Sequence, residues 1–178
     1  MSHQAKAFGQ ALFQLGQEEG LSQLLFEQFE LVDTLWQQHP EYVRLLDLVS
    51  LPKEERTQLL DQVFGQSLHP YLLHCLKLVT RAAYNHKLHE SWLEFRHLYD
   101  QQQGIVRVQA VSAIPMTEGQ KQALRQKLEQ VTGKQVECSY QVDATCLGGV
   151  RLNLQGYQLD GTVEAQLERL RRLLAQPV

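Results

Sequence analysis

The hydrophobic residues of this chain change their spacing near residue 104, and that change limits the folds open to it. Before this point apolar residues recur every three or four positions, as in helices that bury one face. After it they alternate with polar residues, as in strands with one buried face. Residues 101–104, three glutamines and a glycine, separate the two patterns. The sequence therefore predicts an α+β protein with two domains, residues 1–104 and 105–178.

The first domain is predicted to be an N-terminal bundle of six helices with short connections. Its helical stretches are separated mainly by glycine and proline, which punctuate helices. The first and fifth helices are apolar over more of their surface than one packing face needs. Such a helix is either nearly surrounded in the bundle, or it offers a groove to an amphipathic helix of a partner. The two explanations are compatible.

Residues 105–178 predict a small α/β domain with helices on one side of a sheet. Alternation indicates a strand near residues 106–110, and a capping box from Thr117 to Gln120 then begins a helix. The next strand is expected to bury Val136, Cys138, Tyr140 and Val142 on one face. A strand from residue 150, a hairpin and a closing helix complete the domain. The closing helix is predicted from a stripe of Val163, Leu167, Leu170 and Leu174.

The residues of this second domain that most resemble a chemical site are Gly148 and Gly149 with two aspartates, Asp143 and Asp160. Glycines can admit a phosphate and carboxylates can hold a metal, but no known phosphate-loop motif surrounds them. We therefore predict turn roles for the glycines, a helix start at Asp160, and neither a catalytic nor a metal site. The structural positions are Gly148, Gly149, Gly156, Asp160 and Gly161. A small-molecule-binding or hydrolytic α/β protein that uses Gly148, Gly149 and Asp160 remains the alternative.

Cysteines and histidines add no catalytic pattern. Cys75, Cys138 and Cys146 are widely spaced, which predicts buried reduced thiols rather than a zinc site. All seven histidines precede residue 104. His86 and His89 are predicted to be ordinary surface or boundary residues, because no acidic or cysteine partner lies nearby in the sequence at a ligand spacing.

Charge and hydropathy exclude other partners. Residues 1–104 carry 8 Lys and Arg against 13 Asp and Glu, and residues 105–178 carry 9 against 7. Nucleic acid is an unsuitable partner, because phosphate binding needs a strongly basic surface. No apolar run approaches the roughly 18 residues of a membrane span, and the first residues lack a secretory signal. We expect a cytosolic protein.

Three segments resemble the delta subunit family of bacterial F-type ATP synthase, counterpart of the mitochondrial oligomycin-sensitivity-conferring subunit. The strongest is V-D-A-T-C-L-G-G-V-R-L-N-L-Q-G-Y-Q-L-D-G-T-V-E-A-Q-L-E-R-L, beginning at Val142. V-Q-A-V-S-A-I-P-M-T, beginning at Val108, and A-K-A-F-G-Q-A-L-F near the start are also similar to family segments. The chain departs from the commonest family pattern at Phe8, Met116, Ala144 and Cys146.

The resemblance implies a non-catalytic stator that needs no cofactor and ties the catalytic α/β head to the peripheral stalk against rotor torque. Its helical domain is implied to bind N-terminal helices of α subunits, and its second domain the C-terminal end of the stalk b subunits. The implied location is the cytoplasmic face of the bacterial inner membrane, with membrane contact only through the complex. The groove is expected at Phe8, Ala11, Leu12 and Leu15 with Leu72, Cys75, Leu76 and Val79. A general adaptor for helical partners is the other alternative.

Overall fold

The structure is a computed structural model that describes residues 3–144, 146, 148–154 and 157–161. It divides into two compact units, Met1–Tyr99 and Asp100–Val178. The described helices of the first unit are α1 (His3–Glu18), α2 (Ser22–Gln38), α3 (Pro40–Asp47), α4 (Lys53–Phe64), α5 (Pro70–Arg81) and α6 (Leu88–Gln103), with a 3-10 turn at Asn85–Lys87. The last residues of α6 belong to the second unit, because the division lies between Tyr99 and Asp100.

One apolar core joins the helices of the first unit. Every helix from α1 to α6 contributes a side chain that is at most 1% exposed. These side chains include Leu12, Phe29, Leu46, Leu60, Leu72, Leu76 and Phe95. Phe29 packs against Trp92 and Phe95, with ring centroids 5.3 and 5.7 Å apart. The helical spacing in the sequence reflects this shared core.

A glycine lets α1 approach α6 closely. A Cβ atom at Gly9 would collide with the backbone oxygen of Ser91 and lie 3.1 Å from Cβ of Glu94. Beside this contact, Gln10 donates a hydrogen bond to the Glu94 carboxylate at 2.9 Å, and Lys6 lies 4.0 Å from it. The flank of α1 that carries Lys6 and Gln10 therefore faces α6.

Arg56 connects three helices from within the first unit. Its side chain begins in α4 and is 3% exposed. Nη1 donates hydrogen bonds to the backbone oxygens of Leu46, at 3.1 Å, and Thr80, at 2.9 Å. These oxygens lie near the C-terminal ends of α3 and α5, where helix dipoles favour a cation. Nε of Arg56 has no hydrogen-bond partner among the described residues.

The second unit contains a mixed four-stranded sheet in the order β2-β1-β3-β4. Its described elements are β1 (Ile105–Ser112), α7 (Glu118–Thr132), β2 (Gln135–Val142), β3 (Val150–Leu154) and β4 (Tyr157–Asp160). β1 runs parallel to β2 and antiparallel to β3, and β4 pairs antiparallel with β3. A small core of Val108, Leu128 and Val136 lies between the sheet and α7.

The capping box predicted at the start of α7 is confirmed. Thr117 Oγ1 accepts from the Gln120 backbone N–H at 3.3 Å, and Gln120 Oε1 accepts from the Thr117 N–H at 2.9 Å. The buried face predicted for β2 is correct only in its first half. Val136 is buried, whereas Tyr140 and Val142 are 37% and 51% exposed. β2 is an edge strand of the described sheet, and its far end lies beyond the core formed by Val108, Leu128 and Val136.

The glycine pair occupies the loop between β2 and β3. Gly148 and Gly149 have φ values of 142° and 86°, in the region that favours glycine. Asp160 ends β4, and the N–H of Gly161 donates to the Val150 oxygen at 3.1 Å. The predicted turn at Gly156 and the closing helix after Gly161 lie outside the described residues.

Candidate partner-binding surface

The structure separates the eight residues of the predicted groove into two groups. Half of them belong to the apolar core and are at most 2% exposed: Leu12, Leu72, Leu76 and Val79. The other half reach the surface. Phe8 and Cys75 are partly buried against the core, and Ala11 and Leu15 are exposed. Only this second group is available to a partner that docks on the folded unit.

On α1 the accessible residues share one flank. Residues 8, 11 and 15 lie three or four positions apart, so they are neighbours on a helix. Lys6 and Gln10 lie on the opposite flank and face α6 through Glu94. Phe8, Ala11 and Leu15 therefore border the buried stripe of α1 on the side away from α6. Leu15 is 42% exposed.

On α5 the accessible residues also share a flank. Lys77 pairs with Asp61 of α4 at 2.6 Å, so this side of α5 faces α4. Cys75 and Leu78 lie three positions apart on the other side of the buried stripe. Leu78 is 42% exposed and was not part of the predicted groove. α1 and α5 contact each other, so both apolar flanks belong to two adjoining helices.

Exposure of Leu78 has no unique signal in the sequence. Leu73, Cys75, Leu76 and Leu78 are all apolar within α5, and periodicity alone leaves the centre of the buried stripe uncertain by one position. The ion pair between Lys77 and Asp61 resolves this, because it turns residue 77 toward α4. That pair joins residues far apart in the sequence.

Cys75 is suited to packing rather than to nucleophilic chemistry. Burial raises the pKa of its thiol to about 12. The thiol is therefore protonated at neutral pH, and the reactive form of a cysteine is the thiolate. Cys75 contributes apolar surface to its flank of α5.

Two histidine and aspartate pairs hold the start of α6 and the 3-10 turn before it to other helices. His89 Nδ1 lies 2.9 Å from Oδ1 of Asp33 in α2, and His86 Nδ1 lies 2.7 Å from Oδ2 of Asp47 in α3. Asp33 is 5% exposed. The sequence did not indicate these acidic partners, because they are 56 and 39 residues away. Both histidines join helices of the unit.

Backbone hydrogen bonds shape the loop at the glycine pair, where the alternative small-molecule site was considered. The N–H of Asp143 donates to the Ser112 oxygen at 2.9 Å, and the N–H of Cys146 donates to the Asp143 oxygen at 3.1 Å. These bonds shape the loop that contains Gly148 and Gly149. Across the described part of the chain, no group of three His, Cys, Asp or Glu side chains is arranged to hold a metal ion.

Comparison with known proteins places the chain in a family. A sequence model described as "ATP synthase delta (OSCP) subunit" matches residues 5–174. The chain belongs to this family. It is 29% identical to the ATP synthase subunit delta of Clostridioides difficile over 175 residues, which is 98% of this chain and 97% of the relative. The subunit delta of Desulfitobacterium hafniense is 32% identical over 171 residues, 96% of each chain.

A structural comparison agrees with this membership. A chain in the cryo-EM structure of the Toxoplasma gondii mitochondrial ATP synthase hexamer has a TM-score of 0.82 to this structure. The match covers 100% of both chains at 16% identity, so it shows a shared fold. As a member of the delta family, the protein is a non-catalytic peripheral-stalk subunit of an F-type ATP synthase. None of the described helices is long and apolar enough to span a membrane.

Proposed function

We propose that the first unit acts as a six-helix bundle that binds the N-terminal helix of an ATP synthase α subunit along the flanks of α1 and α5. The second unit then binds the C-terminal end of the b subunits, so that the protein ties the catalytic head to the stalk. The observation that carries the proposal is the exposed apolar surface on two contacting helices, at Ala11, Leu15 and Leu78. Family membership supports the choice of partners.

Apolar contact suits a joint that must hold while the rotor turns. An amphipathic helix has an apolar residue at every third or fourth position, and these residues can pack together against an exposed apolar surface. Burial of apolar area contributes about 25 cal/mol per Å², and this contribution requires no change in charge or chemistry during catalysis. The buried residues Leu12, Leu72, Leu76 and Val79 support the surface from beneath. They hold α1 and α5 in the positions that a helix would meet.

The same complex sets the proposed location. A subunit that joins the catalytic head to the stalk lies at the cytoplasmic face of the bacterial inner membrane, and it reaches the membrane only through the other subunits. The proposal needs neither a cofactor nor a nucleic acid.

Substitution of exposed residues tests the α1 and α5 surface without disturbing the core. Leu15→Glu and Leu78→Glu each place a charge where apolar contact is proposed, while both positions are 42% exposed in the free protein. We expect each variant to bind the purified catalytic head at least about tenfold more weakly in calorimetry, a loss of about 1.4 kcal/mol. Unfolding midpoints should stay near that of the parent protein.

Val131→Glu is the matched control, because Val131 is 76% exposed on α7. It should leave head binding unchanged. Unchanged affinity in both Leu15→Glu and Leu78→Glu would refute the proposed surface. Substitution of Leu12 or Leu76 is a poor test, because both side chains are core residues and their loss would destabilise the unit itself.

A further inference from the structure

A concave surface lies on the first unit, among α2, α3 and α4. A pocket of about 350 Å³ opens there between the C-terminal part of α2, the start of α3 and the end of α4. Its walls include Leu35, Trp36, Tyr42, Val63 and Phe64. The lining is mostly apolar, and its size suits one large apolar side chain. None of these residues belongs to the α1 and α5 flanks.

The walls of the pocket are packed aromatic rings. The ring centroid of Trp36 lies 6.0 Å from that of Tyr42 and 5.6 Å from that of Phe64. Tyr42 is held further by its hydroxyl, which donates to the Leu59 oxygen at 3.3 Å. A pocket already shaped in the free protein binds with less loss of conformational entropy. Trp36 Nε1 has no hydrogen-bond partner among the residues described.

Apolar surface continues beyond the pocket along two helices. Leu31 lies one helical turn before Leu35 on α2 and is 54% exposed. On α4, Val63 of the pocket wall is 53% exposed, and the partly buried Leu59 extends the apolar surface by one turn. The apolar area is therefore elongated and has the pocket at one place along it. This shape fits a helix with one anchoring side chain better than a compact small molecule.

The charge around this surface selects the kind of helix. Glu27 lies one turn before Leu31, Glu55 lies one turn before Leu59, and Glu41 lines the pocket. Residues 27–64 carry eight carboxylates against three basic side chains. One of the three, Arg56, is buried and bonded to backbone oxygens. Among the described residues, no lysine or arginine pairs with these glutamates, and His39 Nδ1, also at the pocket, lies 3.7 Å from Oε1 of Glu41.

We propose that this surface binds a basic amphipathic helix of a partner protein. One large apolar residue of the helix enters the pocket, and further apolar residues lie against Leu31 and Val63. Lysine or arginine residues that flank the apolar stripe of the partner face the glutamates. The inference rests on the α2, α3 and α4 surface alone and does not depend on the α1 and α5 proposal.

Two synthetic peptides probe the surface with the full-length protein. Each has about 18 residues, five helical turns, with leucine and one phenylalanine on a single face. The first carries lysine on the flanking positions and the second carries glutamate there. We expect the lysine peptide to bind and the glutamate peptide to bind at least tenfold more weakly in calorimetry. The indole N–H signal of Trp36 in ¹⁵N NMR should shift on binding, while that of Trp92 should not.

Matched variants locate the binding. Val63→Glu should weaken binding of the lysine peptide at least tenfold, and Glu41→Gln should weaken this binding by a smaller factor. Leu15→Glu, on the other surface, should leave it unchanged. If Leu15→Glu lost peptide binding while Val63→Glu kept it, the peptide would bind at α1 and α5, and the inference would be overturned. The inference would also be overturned if both peptides bound equally or if neither bound. Self-association of the free protein, abolished by Val63→Glu, would overturn it as well, because the surface would then bind a second copy of the chain.

Discussion

A buried polar contact in the helical unit differs from an exposed one on the sheet. In the helical unit Arg56 lies inside and joins its helix to α3 and α5, which are distant in the sequence. On the sheet a row of exposed amides crosses neighbouring strands. Gln109 donates to Gln141 at 2.9 Å and accepts from Asn153 at 3.1 Å. These side chains lie on β2, β1 and β3, whose pairing is fixed by backbone hydrogen bonds.

The difference concerns what specifies each fold. Backbone hydrogen bonds run within each α-helix, so they do not fix its position against another helix. Packing and buried polar contacts must do so. In a sheet the backbone bonds run between strands and set the register themselves. We therefore expect loss of a buried polar contact in the helical unit to cost far more than loss of an exposed one on the sheet.

The largest effect is expected at Arg56. Arg56→Met keeps much of the side-chain volume but leaves the Leu46 and Thr80 oxygens without this donor. A buried acceptor that is left unsatisfied costs about 1–3 kcal/mol, and the Thr80 oxygen still accepts from the Ala83 N–H at 3.0 Å. The free energy of unfolding from urea titration should fall by about 2–3 kcal/mol.

Lys53→Met, at the exposed start of α4, is the control and should change stability by less than about 0.5 kcal/mol. If Arg56→Met were as stable as the parent protein, the contrast between buried polar contacts in the helical unit and exposed ones on the sheet would fail. It would mean that the cost of burying the cation cancels the benefit of its hydrogen bonds.

A smaller effect that depends on pH is expected at Asp47. Partial burial raises the pKa of this carboxyl, but hydrogen bonds from His86 and Asn85 outweigh burial and hold its pKa below the usual range. Asn85 donates from its backbone and side chain at 2.9 and 2.8 Å. Asp47→Asn should reduce stability at pH 7 by about 1–2 kcal/mol, because the amide oxygen still accepts hydrogen bonds but without the charge that strengthens them.

The sign of the pH effect follows from the lowered pKa. The unfolded chain binds a proton at Asp47 more readily than the folded chain, so acid favours unfolding. The stabilisation is complete above the ordinary pKa of aspartate and is lost as the pH falls through the lowered folded value. The difference between Asp47→Asn and the parent should therefore shrink in urea titrations below about pH 4. A difference that is constant from pH 7 to acid would contradict this account.

The smallest effect is expected at Gln109. Gln109→Ala removes both bonds of the amide row, but water can replace them because the side chain is exposed. Stability should change by less than about 0.5 kcal/mol in urea titration. A loss above about 1 kcal/mol would show that side chains help to specify the sheet, and the contrast between the units would fail.

Local patterns allowed several parts of the structure to be predicted. The capping box of α7 involves residues three positions apart, so the sequence contains all of its parts. Burial along β2 was predicted only in part. Alternation correctly placed Val136 inside, but Tyr140 and Val142 are exposed because the far end of β2 lies beyond the core that Val108, Leu128 and Val136 form. Strand order depends on pairing between distant segments, which alternation does not encode.

The surface of α1 and α5 could also be predicted only in part, because local patterns do not reveal contacts between distant segments. Apolar spacing identified α1 and α5 as helices with surplus apolar surface, but it treated Leu12 and Leu15 alike. In the structure Leu12 is 1% exposed and Leu15 is 42% exposed. The contacts of α1 with α6 decide which flank remains open. The pocket beside Trp36 has no sequence signal of its own, because it joins three helices.

The sequence by itself determined the two kinds of architecture, most helix and strand positions, and the similarity to the delta family. These follow from spacings and motifs within short segments, where hydrophobic periodicity and backbone geometry act locally. Only the tertiary structure decided which apolar residues form the core, which remain exposed, and which acids hold His86 and His89. Burial and pairing depend on neighbours from distant parts of the chain, so no local pattern contains them.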